Sequence, residues 1–151
     1  EDVLAVREGL ADGTIDIVAT DHAPHPSEHK ACEWQAAANG MVGLESALRV
    51  VHQSMVQTGL IGWSDVARVM SAAPARIGRL AGHGTALEGG APAQITLYDA
   101  SVAGVFTEAD LHGRSANSPY LGRDLPGRVE YTIHGGTVTV EAGSVVEELH
   151  A

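Results

Sequence analysis

The chain has 151 residues, of which 44% are hydrophobic, enough for the core of one domain or of part of a larger one. Nine basic against nineteen acidic residues give a net charge of -10 without any cluster of lysine or arginine, so nucleic acid and anionic membranes are not expected partners. The apolar stretches are too short to cross a bilayer, and the N-terminus lacks the organisation of a signal peptide.

The first residues show no natural start. The chain opens on Glu1 and Asp2 without an initiating methionine and enters a helical pattern at once, so we expect a protein cut upstream. The single cysteine, Cys32, cannot form an internal disulfide, which favours a reducing cytoplasm. No His-plus-acid context singles Cys32 out as a nucleophile, so we expect an inert thiol.

Helical and strand patterns alternate in the first half. Val3, Val6 and Leu10 share a helical face that breaks at residues 11–13, and the apolar run 15–20 predicts a buried strand. A helix followed by a strand indicates a parallel α/β sheet or barrel. Three more helices are predicted: one with Leu44, Leu48, Val51 and Met55 that ends at Thr58-Gly59, one capped by Ser64 with Val66, Val69 and Met70, and a short one from Pro74 through Leu80 that Gly82 and Gly84 end.

The pattern changes near Ala86. Beyond it, short runs with high strand propensity cover residues 94–98, 129–133 and 137–140, separated by Gly, Pro, Asn and Asp. His134-Gly135-Gly136 predicts a tight hairpin turn between the last two runs. We therefore expect an α/β part over residues 1–86 and a small β part over residues 87–151.

The candidate site is Asp21-His22-Ala23-Pro24-His25, directly after the predicted strand. A carboxylate and two imidazoles are of the right type to hold a divalent ion. If Asp21 continues the strand, Asp21 and His22 point to opposite faces and do not chelate one ion together. We therefore expect Asp21 to face the site, His22 to support it, and Pro24 to stiffen the loop that presents His25. In a parallel barrel, catalytic side chains gather at this end of the strands.

Two alternatives stay open from the residues alone. The histidines of this loop could merely satisfy local hydrogen bonds. Two glycines precede a helix in the segment 40–45, whose amides could bind an anion, although a plain connection into the helix is favoured. The remaining histidines have no partner at ligand spacing and are expected on the surface or in turns: His29, His52, His83, His112, His134 and His150.

The segment 19–25, followed by Glu28, Lys30 and the pattern Gly40-x-x-Gly43-Leu44-Glu45-x-Ala47-Leu48, closely resembles the class I dihydroorotases of the amidohydrolase superfamily. Three later segments resemble this family in the same order: Ala73-Pro74-Ala75-Arg76, Gly90-Ala91-Pro92-Ala93-Gln94 and Ser115-x-Asn117-Ser118-Pro119-Tyr120-x-Gly122. The resemblance implies a (β/α)8 TIM barrel with a small β-sandwich. Residues 1–86 would be the C-terminal part of the barrel, with 15–20 as its last strand, and 87–151 the C-terminal part of the sandwich.

The activity that the resemblance implies is reversible hydrolysis of the cyclic amide of dihydroorotate to N-carbamoyl-L-aspartate, a step of pyrimidine biosynthesis, with one or two zinc ions. By position, Asp21 matches the family's metal-binding aspartate, which also shuttles a proton. His25 matches a histidine that contacts the substrate carboxylate. Gly40, with its neighbour Asn39, matches a loop whose backbone binds the substrate ring.

The sequence departs from the family at three positions. Ala73 replaces an Asn that would cap the short helix, at a cost of about 1 kcal/mol. Gln94 stands where Asp is usual, and Asn39 where an aromatic residue is usual, which changes the fine shape of the pocket. The family's His-x-His pair, its other ligands and its substrate-binding Arg and Asn lie upstream of these residues. Because a catalytic zinc takes three protein ligands, we predict that the isolated chain is inactive and metal-poor and that its complete parent is a dihydroorotase.

Two rival interpretations remain. The parent could be a dihydroorotase-like subunit that has lost its metal site and serves as a structural partner of aspartate transcarbamoylase, although the retained Asp21 and His25 argue against this. It could also be a sister cyclic amidohydrolase, a hydantoinase or allantoinase, but Asp-His-Ala-Pro-His favours dihydroorotase. A homo-oligomer is a further possibility, because an incomplete barrel would expose apolar faces that invite association.

Overall fold

The computed structural model describes residues 1–146, so the prediction for His150 lies outside the described residues. The architecture is α/β with a small antiparallel sheet. The α-helices are α1 (Asp2–Asp12), α2 (Ser27–Lys30), α3 (Ala47–Val51), α4 (Trp63–Ala67) and α5 (Ala73–Gly78). The π-helices His52–Val56 and Arg68–Ala72 continue α3 and α4, and a 3-10 helix covers Glu108–Asp110. Within residues 1–146, no helix is both long and apolar enough to cross a membrane.

Helix α1 confirms the first predicted helix, whereas the strand predicted after it is wrong for this chain. Leu10 is buried, and the helix ends at Gly13 in the left-handed conformation, with φ of 88°. Residues 15–20 belong to no strand of the described chain. A strand exists only through a partner ladder, and this run instead meets a helix, where the Val18 amide donates to the Val69 carbonyl at 3.0 Å.

The next predicted helix is found, but it is shorter at both ends than its apolar pattern indicated. It begins at Ala47, after a turn over residues 44–46, and α3 runs into the π-helix that ends at Val56. Val51 and Met55 are buried, as the spacing predicted, whereas Leu44 is 63% exposed. Leu44 therefore lies on the loop side of the helix start and does not extend the apolar face.

The two helices predicted after residue 62 form one continuous helical segment. Ala72 has φ of -65° and ψ of -48°, so Ala73 lies inside a helix and the predicted loss of a cap there is wrong. The Ala73 amide donates to the Arg68 carbonyl in a π-turn, and a shifted ladder tolerates Pro74, which has no amide hydrogen. The predicted cap at Ser64 is also wrong, because the helix begins at Trp63.

The sheet is an antiparallel meander in the order β1-β2-β3-β4. Its strands are β1 (Gln94–Val105), β2 (Asp124–His134), β3 (Thr137–Glu141) and β4 (Ser144–Val145). Gly135 and Gly136 both have positive φ, 57° and 86°, and join His134 to Thr137, which confirms the predicted hairpin. The sequence located three of the four strands but underestimated β1 and β2, and it missed β4.

Strand β1 continues through residues that carry turn signals. The Asp99 carboxylate accepts hydrogen bonds from the Ser101 amide and hydroxyl, at 2.8 and 2.7 Å. This local turn occupies the register shift between Asp99 and Ala103, after which pairing with β2 resumes. A bulge within a strand and a turn at its end use the same residue types, which explains the prediction that ended too early.

Two packed regions organise the molecule. The helical core contains buried residues of α1, α3, α4, the π-helices and the connecting segment: Leu10, Val51, Met55, Ile61, Val66 and Val69. Phe106 and Leu125 are each 1% exposed. Beside them, the Arg49 side chain donates to the carbonyls of Gly104 and Leu125 at 2.8 and 2.7 Å. A cation from α3 therefore fastens the sheet to the helices.

His52 contradicts the prediction of a surface or turn histidine, because it is only 5% exposed. Tyr98 donates its hydroxyl proton to the Pro126 carbonyl at 2.9 Å, so the His52 Nδ1 that lies 3.0 Å from this oxygen is the donor. The His52 ring also packs against Trp63, with centroids 4.9 Å apart. Burial lowers the pKa of His52 and raises the pKa of Tyr98 to about 12, since both charged forms lose hydration.

Candidate active site

Asp21 begins the candidate loop in an unusual backbone conformation. Its φ is 45°, in the left-handed region, and the residue is exposed. Aspartate tolerates this region better than most residues do. The premise that Asp21 continues an extended strand therefore does not hold, so strand alternation does not set the directions of Asp21 and His22.

His22 is bound to the start of the following helical region. Its Nδ1 accepts the amide hydrogens of Gly43 and Leu44, at 3.1 and 3.4 Å. An acceptor role at Nδ1 places the proton of the neutral ring on Nε2. Because these two amides already serve His22, they are not offered to an anion, which favours the plain connection into the helix.

The predicted substrate-binding residues lie together. The His25 Nε2 lies 2.9 Å from the Asn39 carbonyl oxygen and donates to it, which places His25 beside the exposed residues Asn39 and Gly40. Lys30 holds the same loop from α2: its Nζ donates to the carbonyls of Ala38 and Gly40 at 2.7 and 3.0 Å. The loop 38–40 is therefore fixed by the side chains of His25 and Lys30, which precede it in the sequence.

Gly40 occupies a position that other residues do not fit. Its φ is 95°, and a Cβ built on it would lie 2.6 Å from the Cβ of Ala23. The Ala23 amide also donates to the Met41 carbonyl at 2.9 Å. The loop that contains Asp21 and His25 thus passes against the loop that contains Gly40 at a distance that requires glycine.

Asn117 joins both loops, and the sequence did not single it out as a site residue. Its Oδ1 accepts the His25 amide hydrogen at 3.2 Å, and its Nδ2 donates to the Ala23 carbonyl at 2.9 Å. More than ninety residues separate these partners along the chain. Its place in the segment 115–122, which carried part of the family resemblance, was the available signal, but spacing alone could not connect it to the loop 21–25.

A depression of about 490 Å³ opens beside these loops. It is lined by residues of α2, of the loop 21–25 and of the segment 114–117, among them His25, Lys30, Arg114 and Asn117. Lysine and arginine give this depression positive charge on a chain whose net charge is -10. An anionic small molecule suits such a surface electrostatically.

Residues 1–146 contain no group of three or more His, Cys, Asp or Glu side chains that could hold a metal ion. Asp21 is exposed and offers one carboxylate, whereas His22 Nδ1 and His25 Nε2 are engaged in hydrogen bonds. Asp21 therefore suits a metal site as one ligand, and the chain does not complete such a site by itself.

No family model matches the chain. Curated relatives named dihydroorotase align with nearly all of it: 64% identity with the protein of Leifsonia xyli subsp. xyli over 99% of this chain and 34% of that protein, and 57% identity with the protein of Streptomyces coelicolor over 95% and 34%. The chain is homologous to the dihydroorotases. It spans about a third of the length of these dihydroorotase relatives, and the resemblance stated from its motifs is confirmed.

Solved hydantoinases share the fold of this dihydroorotase-related chain. The D-hydantoinase of Thermus sp. superimposes with a TM-score of 0.85 at 26% identity, over 96% of this chain and 32% of that one. The L-hydantoinase of Arthrobacter aurescens gives a TM-score of 0.86 at 29% identity, over 95% and 32%. These hydantoinases belong to the amidohydrolase superfamily, as the sequence motifs predicted for this chain.

Proposed function

We propose that the protein that contains this chain is a dihydroorotase, which reversibly hydrolyses the cyclic amide of dihydroorotate to N-carbamoyl-L-aspartate in pyrimidine biosynthesis. The observation that carries the proposal is 64% identity to a dihydroorotase over 99% of the chain. The positive depression beside His25 supports it, since dihydroorotate carries a carboxylate.

The proposed roles follow the positions of the site residues. Asp21 binds metal and acts as the acid/base. His25 contacts the substrate carboxylate, and the loop with Asn39 and Gly40 holds the substrate ring. Two findings support this division: Asp21 is exposed without being part of a strand, and His25 donates to the Asn39 carbonyl at 2.9 Å. One loop thus carries the acid/base, and the other provides backbone groups for the ring.

The proposed cofactor is zinc, as one or two ions, with Asp21 as the ligand from this chain and the remaining ligands outside it. Bound zinc would lower the pKa of water to about 7 and polarise the carbonyl under attack. Asp21 accepts the proton that the attacking water loses and delivers it to the ring nitrogen as the amide C–N bond breaks. The water oxygen bonds to the carbonyl carbon as this C–N bond breaks, and the leaving nitrogen takes the proton, so the step balances.

We also propose that residues 1–86 are part of a (β/α)8 barrel and residues 87–151 part of a β-sandwich. The exposed Val3 and Val6 of α1 support this architecture, because a barrel would cover them. A homo-oligomer and a cytoplasmic location stay predictions, and association with aspartate transcarbamoylase is the prediction of the rival structural-subunit interpretation.

The decisive experiment measures dihydroorotate hydrolysis by the complete protein and by Asp21→Asn. The substitution keeps the size of the side chain but removes its acid/base function, so we expect turnover to fall at least about 10²-fold with the fold retained. Asp124→Asn, which changes an exposed aspartate at the start of β2, is the matched control and should keep full activity. Near-normal turnover by Asp21→Asn would remove Asp21 from the mechanism.

The hydantoinase-like fold favours one second candidate, a sister cyclic amidohydrolase. Turnover of dihydroorotate, hydantoin and allantoin by the complete protein separates the two, and preferential hydrolysis of hydantoin or allantoin would replace the first proposal. A complete protein that hydrolyses none of the three would support a structural subunit. The 151-residue chain alone should be inactive, because its described residues supply one carboxylate ligand and no group of three.

A further inference from the structure

Asn117 lies where the two loops of the candidate site meet. We propose that Asn117 is a positioning residue, whose side-chain amide fixes the loop that contains Asp21 and His25 against the loop that contains Gly40. This inference rests on the proposed function. It adds a role for a residue that, within residues 1–146, makes no hydrogen bond to Asp21, the proposed metal ligand and acid/base.

The geometry uses both ends of the amide. Oδ1 accepts from the His25 backbone amide at 3.2 Å, and Nδ2 donates to the Ala23 carbonyl at 2.9 Å and to the Gly40 carbonyl at 3.5 Å. A side-chain amide offers a donor and an acceptor on one planar group, so a single residue can hold an N–H and two carbonyls of different loops. A carboxylate of the same shape has no donor for the two carbonyls.

Other contacts keep the loops near one another when the side chain changes. The Val42 amide donates to the backbone carbonyl of Asn117 at 3.2 Å, and Lys30 donates to the Gly40 carbonyl at 3.0 Å. Neither bond depends on the Asn117 side chain. Substitution therefore removes the fixed spacing between the acid/base and the substrate loop and leaves the loops in contact. A displacement of about 1 Å at a reacting centre can cost about 100-fold in rate.

The test compares Asn117→Asp with Ser118→Ala in the complete protein. Asn117→Asp keeps an acceptor for the His25 amide but places an oxygen against the carbonyls of Ala23 and Gly40. We expect kcat/KM for dihydroorotate to fall about 100-fold, through both a lower kcat and a higher KM. Among residues 1–146, the Ser118 hydroxyl accepts only the local Tyr120 amide, at 3.3 Å, so Ser118→Ala should match the unmodified protein.

A purely structural role predicts a different result. If kcat falls only in proportion to the folded fraction, as measured by thermal unfolding, and KM is unchanged, the positioning proposal is overturned. Should Asn117→Asp not fold, Asn117→Ala, which places no charge between the carbonyls, is measured in the same way and must show the raised KM.

Amide hydrogen exchange provides a readout that needs no substrate. The amides of residues 39–43 should exchange faster in Asn117→Asp than in Ser118→Ala, because the Gly40 loop loses its fixed partner. Equal exchange in the two variants would refute positioning. Absence of dihydroorotate turnover in the unmodified protein would instead refute the proposed function, so the two failures are distinguishable.

Discussion

Replacing Arg49 with Met tests how the sheet is attached to the helices. Arg49 donates through Nη2 to the carbonyls of Gly104 and Leu125 at 2.8 and 2.7 Å and through Nε to the Pro126 carbonyl at 3.4 Å. Its side chain is 12% exposed, and the guanidinium also lies over the Phe106 ring, 5.8 Å from the centroid. Methionine fills a similar volume but donates to none of these carbonyls.

The expected loss follows from the two short bonds. A buried carbonyl left without its donor costs about 1–3 kcal/mol, and removal of the buried cation returns part of its desolvation cost. We therefore expect Arg49→Met to lower the free energy of unfolding by about 3 kcal/mol. The ion pair with Asp110 adds little, because its atoms are 3.7 Å apart and the Asp110 side chain is 38% exposed.

Urea unfolding of the complete protein measures the loss in free energy of unfolding, and hydrogen exchange at residues 103–106 and 124–126 shows where the structure loosens. Arg68→Met is the matched control. In the part of the chain that the structure describes, the Arg68 side chain makes only a surface pair with Asp65, at 3.5 Å, which should contribute no more than about 0.5 kcal/mol. Asp110→Asn isolates the ion pair and should behave like this control. If Arg49→Met destabilises the protein no more than Arg68→Met does, the attachment of the sheet through Arg49 is refuted.

Two further predictions concern pH and loop geometry. Burial lowers the pKa of His52 below its ordinary value of 6.5, so the unfolded chain binds more protons than the folded one below pH 6.5. Thermal stability should therefore fall as the pH falls from 6.5 to the lowered pKa. His52→Asn keeps a donor for Tyr98 and should flatten this slope. An unchanged slope would contradict the lowered pKa of His52. Gly40→Ala should lower dihydroorotate turnover at least about 10-fold, because its Cβ would meet Ala23 in a left-handed backbone. Gly59 also has positive φ but open space around it, so Gly59→Ala should lose about 1 kcal/mol of stability and keep full activity. Equal activities of the two glycine variants would contradict the close loop contact.

Local sequence patterns were sufficient for several parts of the structure. The spacing of Val3, Val6 and Leu10 predicted α1, and Gly135-Gly136 predicted the hairpin, because both depend on hydrogen bonds between residues a few positions apart. The order of motifs along the chain indicated the dihydroorotase relationship, which the identity of 64% with a dihydroorotase confirms. These features need no knowledge of distant contacts.

Long-range contacts decided the remaining features. The run 15–20 has the composition of a strand, but a ladder needs neighbouring strands, and the run packs on a helix in this chain. The sequence predicted a surface or turn position for His52, but a hydrogen bond to Tyr98, 46 residues away, allows its burial. The sequence predicted that Ala73 stands at a helix start without a capping side chain, but the π-helix before it continues directly into α5.

Residue types and motif order were enough to predict the candidate site residues, whereas the fold decides how they are held. Asp21, His25 and Gly40 were found from residue type and motif order, which are properties of the chain. The contact between the Asn117 side chain and the loop 21–25 is decided only by folding, because it joins residues more than ninety positions apart. Residue identity sets which atoms can donate and accept hydrogen bonds, whereas the fold sets which of them come within 3.5 Å of one another.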